Sequence, residues 1–128
     1  MWSDRYYYLN IYKDEQLSDN CDTWDLMLFL AGIPELQRKD IYSFSNKEPF
    51  PFTDLQLLKL ESLTGWTDLD VDAKHTNLIA IVCRKGEGVD FGEMKRVFIR
   101  IASFLDWKLV DEHTDDGIEN FTLWEPGE

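Results

Sequence analysis

The side chains with the broadest chemistry in this sequence are two histidines, His75 and His113, and two cysteines, Cys21 and Cys83. His113 stands among four carboxylates, Asp111, Glu112, Asp115 and Asp116. Such neighbours favour a charged imidazolium, and an acid–base group could be assembled from them. His75 and Cys83 would make a base and a nucleophile if the fold joined them. Neither set brings a third, orienting group, and neither lies in a nucleophile motif. The simpler reading makes His113 an exposed turn residue. It makes Cys83 a small core hydrophobe, because Cys83 ends the apolar run Leu78-Ile79-Ala80-Ile81-Val82-Cys83. Two separated cysteines and two separated histidines supply no zinc pattern, so no metal or cofactor is expected.

Two loops imitate ion sites and fail in detail. Asp68-x-Asp70-x-Asp72 opens like a calcium loop. Such a loop needs glycine at its sixth position and glutamate at its twelfth, where this chain has Ala73 and Ile79. Gly86-Glu87-Gly88 precedes a helix, as a phosphate-binding turn would. It lacks the third glycine and the Lys-Ser/Thr ending, and Glu87 would repel phosphate. A solvated acidic loop and a plain turn are the expected readings.

Charge and aromatic content say more. Twenty-five acids against thirteen Lys and Arg give a net charge of −12. That field repels nucleic acid and anionic lipid, and it speeds encounter with basic proteins. Residues 111–128 carry seven of the acids (Asp111, Glu112, Asp115, Asp116, Glu119, Glu125, Glu128) and no Lys or Arg, with Phe121 and Trp124 interleaved. Aromatic anchors flanked by acids suit docking to an Arg- and Lys-rich surface. The competing reading is a hairpin with aromatics inward and acids outward. The partner-binding residues expected on this segment are Asp111, Glu112, Asp115, Asp116, Glu119 and Trp124. Asp14, Glu15, Asp19, Asp22 and Asp25 form a second acidic patch of the same kind.

The elements that must position these residues follow from periodicity. Tyr6-Tyr7-Tyr8-Leu9-Asn10-Ile11-Tyr12 is aromatic and β-branched and reads as a strand. A polar loop follows. Asp22 or Thr23 caps a helix that runs to Ala31, stopped by a left-handed cap at Gly32 and by Pro34. Ile41-Tyr42-Ser43-Phe44 is a short strand. Thr53 is placed to cap a helix through Asp54, Leu57, Leu58 and Glu61; the same leucines also alternate as a strand, and the helix is favoured. Residues 63–76 read as a loop and residues 77–84 as the central strand. Asp90 caps the clearest helix, with Glu93 three residues on and Phe91, Met94, Val97, Phe98, Ile101, Ala102, Phe104 and Leu105 in steps of three and four. Lys95, Arg96 and Arg100, on its other face, form the only basic cluster that the sequence displays. Residues 107–111 and 118–124 are strands joined at Thr114-Asp115-Asp116-Gly117.

The length suits one domain over residues 1–128. The order gives an α+β fold, a mostly antiparallel sheet covered by two to three helices. Nothing at the N-terminus resembles a signal peptide, and no apolar run reaches the roughly 18 residues of a membrane span. A cytoplasmic, reducing setting is therefore expected.

In size, acidity and aromatic richness, with Leu105-Asp106-Trp107-Lys108-Leu109-Val110-Asp111, Asp115-Asp116-Gly117 and Trp124-Glu125-Pro126, the chain resembles the small acidic immunity proteins of bacterial toxin systems such as contact-dependent growth inhibition. Those proteins neutralise one toxin, often a nuclease, by covering its active site. The resemblance implies a non-enzymatic inhibitor with a basic partner. The alternative is an adaptor or regulatory module that acts as a homodimer through exposed aromatics.

Overall fold

The computed structural model describes residues 5–60, 63, 74–86 and 88–127. In chain order the elements are β1 (Tyr6–Tyr12), β2 (Cys21–Asp22), α1 (Thr23–Ala31), β3 (Leu36–Asp40), β4 (Ser43–Asn46), β5 (Thr53–Leu58), β6 (His75–Thr76), β7 (Leu78–Arg84), α2 (Phe91–Leu105), β8 (Lys108–His113) and β9 (Glu119–Trp124). Seven strands form one sheet in the order β3-β4-β5-β7-β1-β8-β9, and β2 and β6 form a separate two-stranded ribbon. Every pairing is antiparallel. The described residues form an α+β fold with two helices.

Alternation along the strands divides the apolar residues between two faces. Leu9, Ile11, Leu55, Leu57, Ile79, Ile81, Cys83 and Leu109 meet on one face, where α1 adds Leu26, Met27 and Leu30 and α2 adds Met94, Val97, Phe98, Ile101 and Ala102. The other face has a smaller cluster of Tyr12, Leu17, Leu58, Leu60, Leu78 and Val110. β7 contributes to both, which explains its unbroken apolar run.

Both helices start as their sequences indicate. Asp22 accepts from the Asp25 N–H at 3.1 Å and Asp90 accepts from the Glu93 N–H at 3.3 Å. The end of α1 differs from expectation: Gly32 has φ −85 and is right-handed, its N–H donating to the Phe29 carbonyl. The left-handed cap belongs instead to Asp106 (φ 60) at the end of α2.

The favoured helix over residues 53–61 is corrected to strand β5. Leu55 and Leu57 pair with Ile81 and Ile79 and share their core face, so tertiary pairing outweighs local propensity. Thr53 makes no helix cap; its hydroxyl donates to the Pro51 carbonyl at 3.1 Å. The strand expected from Ile41 is also corrected. Ile41 and Tyr42 form a turn, and the strand starts at Ser43. β3, before that turn, has a single buried residue, Leu36, and so lacks the alternation that marks a half-buried strand.

Trp107, wholly buried after α2, donates its indole N–H to Asp19 Oδ2 at 2.9 Å. This bond ties the loop after β1 to the start of β8. Removing the ring N–H in Trp107→Phe and the acceptor in Asp19→Ala, singly and together, is expected to give a coupling of about 1–2 kcal/mol in urea unfolding. Additive losses would mean that the bond contributes nothing.

Candidate functional site

The β8–β9 hairpin holds all six residues expected to bind a partner. Its turn is set by Thr114, whose N–H donates to the Ile118 carbonyl at 2.8 Å and whose hydroxyl accepts from the Ile118 N–H at 3.0 Å. Gly117, at φ +86, takes the left-handed position.

Strand alternation separates the six residues. Asp111 is 8% exposed, paired in register with Leu9 and Phe121, and accepts the His113 N–H at 3.1 Å. Glu112, next along the strand, turns to the opposite face and is half-buried. Asp115 and Asp116 stand exposed in the turn, and Glu119 is exposed opposite His113. Trp124 is half-buried and packs against the main core. The exposed apolar groups here are Ile118 (49%) and Phe121 (45%). His113 is not an exposed turn residue: it ends β8 and is half-buried.

Burial shapes the electrostatics. Desolvation pushes the Asp111 carboxyl above its ordinary value, against the pull of the His113 N–H and Lys85. Glu112 is also raised, by burial and then by the charge of Asp111. Lys85 Nζ bonds Asp115 Oδ1 at 2.7 Å and lies 4.8 Å from the centre of the Tyr7 ring, bracing the turn against the end of β1.

The second acidic patch is largely used within the fold. Asp14 accepts the Gln16 and Ser18 N–H groups and the Ser18 hydroxyl, which lowers its pKa. Glu15 is lowered by its bond to Lys108. Asp19 holds Trp107, and Asp22 caps α1. Asp25 remains exposed beside Trp24 (61% exposed) and Leu28 (58%). A signal for this stripe lies in the composition of α1, where Trp24, Leu26, Met27, Leu28, Phe29 and Leu30 surround the axis and a helix lying on a sheet cannot bury every side.

The other reactive residues are placed apart. Cys83 is in the core, its thiol pushed up to about 12 by burial, so it is a poor source of thiolate. His75 is exposed in the two-stranded ribbon, paired with Asp22. Both cysteines are free thiols. Asp68, Asp70, Asp72 and Glu87 lie outside the described residues. Among the described residues no three His, Cys, Asp or Glu side chains are grouped to hold a metal ion. No helix of the described residues is long and apolar enough to cross a membrane.

Sequence reading missed one group. Pairing of β1 with β7 brings Arg5, Arg84 and Lys85 together at one end of the sheet, a second basic cluster besides Lys95, Arg96 and Arg100. No family model, curated protein or solved structure matches the chain.

The raised pKa of Asp111 fixes the sign of a pH effect. A buried carboxylate that resists ionisation costs stability once the pH rises from its ordinary value through its folded value. Asp111→Asn keeps an acceptor for the His113 N–H. It is expected to raise stability at pH 7 by a few tenths to about 1 kcal/mol. The gain should vanish at pH values below the ordinary carboxylate range, as read by urea midpoints across pH. An unchanged difference at all pH values would remove desolvation as the cause.

Proposed function

We propose that this protein is an acidic protein-binding domain of the immunity type, a cytoplasmic inhibitor that covers the active site of a basic toxin. A nuclease is the favoured toxin class, since a nuclease must present cations to bind phosphates. An acidic surface would compete for those cations and be steered to them over long range.

The observation that carries the reading is the hairpin. Its turn and flanks expose Asp115, Asp116 and Glu119 around Ile118 and Phe121, while Asp111 and Glu112 are held partly desolvated at its base. Phe121 and Ile118 supply exposed apolar contact, with Trp124 half-buried beside them. Desolvated carboxylates gain more from a cationic partner than hydrated ones do, because part of their desolvation cost is already met in the free protein.

Asp116 and Glu119 make no ion pair or side-chain hydrogen bond within the described structure, so the variant that reverses them is expected to keep the wild-type urea midpoint. The tagged protein should capture one basic protein from its own cell lysate, less well at high salt, and should inhibit that protein's nuclease activity. The double reversal Asp116→Lys, Glu119→Lys should weaken inhibition at least about tenfold, roughly 1.4 kcal/mol. Undiminished inhibition by that variant would remove the hairpin as the binding surface.

The Trp24–Leu28 stripe favours a second reading, a homodimeric adaptor or regulatory module. Two large apolar side chains one helical turn apart, more than half exposed, are suited to burial against another surface. Sedimentation should then show a dimer that Trp24→Glu dissociates. A monomer at all concentrations removes this reading.

A further inference from the structure

The two helices form one layer over the sheet, and three contacts order it. The Phe29 ring of α1 stacks on the Phe104 ring of α2, with centres 4.0 Å apart and planes 9° apart. Beyond the end of α1, Glu35 lies 3.9 Å from Arg100, one turn back from Phe104 along α2. Before the start of α1, Asp19 holds Trp107, which follows α2. The helices therefore run antiparallel. The outer surface of the layer changes character along its length. At the start of α1 stands Asp25, exposed and without an ion pair among the described residues. Trp24, beside it, begins an apolar zone that continues through Leu28 to Phe104, with exposures of 61%, 58% and 48%. At the far end α2 presents Arg96 and Arg100, both exposed. Glu35 and Glu93 offset part of that positive charge, but Arg96 makes no ion pair among the described residues.

We infer that this helical layer is a two-fold interface on which a second copy of the chain lies rotated by half a turn, so that Asp25 of each copy faces Arg96 and Arg100 of the other across a shared apolar zone. The inference rests on the homodimer reading of the Trp24–Leu28 stripe and extends the interface to α2. A two-fold interface uses the same patch on both copies, so the patch must complement itself. An acidic end, a basic end and apolar groups between them meet that condition, because half a turn about the middle brings unlike ends together. Other occupants match less of the surface. The arginines would oppose a basic segment, and Asp25 would oppose an acidic one. Anionic lipid is opposed by the net charge of −12.

Sedimentation velocity of the full chain over a range of concentrations should show a dimer. Asp25→Lys should weaken it at least about tenfold, and so should Arg96→Glu combined with Arg100→Gln, because the symmetry repeats each like-charge contact. Gln rather than Glu at position 100 avoids a new like-charge pair with Glu35. At a concentration where each variant alone is a monomer, an equimolar mixture of the two should restore a dimer, since unlike charges then meet at both ends. The substituted side chains are exposed, so both variants should keep the wild-type far-UV circular dichroism. A wild-type monomer at all concentrations overturns the inference together with the homodimer reading. A dimer that Trp24→Glu dissociates but that neither charge variant weakens keeps that reading and overturns this arrangement. Failure of the mixture to restore the dimer overturns it as well.

Discussion

The register of β7 is the constraint on which the rest of the structure depends. β7 is the middle strand of seven and pairs along its length with β1 on one side and β5 on the other. Ile79, Ile81 and Cys83 face the helices, while Leu78 joins the smaller core on the opposite face. A slip of one residue would exchange the faces, turning Arg84 toward α2 and the main core. Burying an unpaired guanidinium costs far more than the pairing returns. Asn77 holds the register from the strand's start: its side chain takes the Leu60 N–H at 2.9 Å and donates to the Leu60 carbonyl at 2.8 Å, both buried. The exit of β5 is thereby tied to the entry of β7.

With the register fixed, the exposed surfaces follow. Both helices lie on one face, and the hairpin turn projects at the sheet's end. The two edge strands are guarded differently. β3 presents Arg38, Lys39 and Asp40, whose charges oppose pairing with another chain. β9 is broken as a template by its shape. Asn120 has φ 51, and the pairings Leu109 with Trp124 and Val110 with Thr122 leave Leu123 as an extra, bulged residue. A partner at the hairpin would therefore engage side chains rather than extend the sheet.

The sequence made β1, α1, β7, α2 and the hairpin legible, because each has a strong period and a cap or turn residue where its physics needs one. β5 was not legible in the same way. Leu55, Leu57, Leu58 and Leu60 satisfy two periods, and the choice between them is made by Ile79 and Ile81, more than twenty residues downstream. β3 carries too little apolar content to show any period. The acids divide similarly. Their number is plain in the sequence, but not that Asp14, Glu15, Asp19 and Asp22 serve the fold while Asp116 and Glu119 face solvent. Asp19 meets its partner across 88 residues, a pairing without a local signature. Arg5 and Lys85 are likewise brought together only by the β1–β7 ladder.

Lys85 ties the hairpin turn to the end of β1. Its ammonium group bonds Asp115 in the hairpin turn and lies over the Tyr7 ring. Its side chain is largely buried while that of Asp115 is largely exposed, so this ion pair is not wholly screened by solvent. A negative group beside Lys85 would compete with Asp115 and loosen the brace on the turn. A cation that draws Asp115 away would leave Lys85 more available to an anion. Linkage makes the two effects equal in free energy. A group that takes either member of the Lys85–Asp115 pair therefore loosens the brace between the hairpin turn and the end of β1.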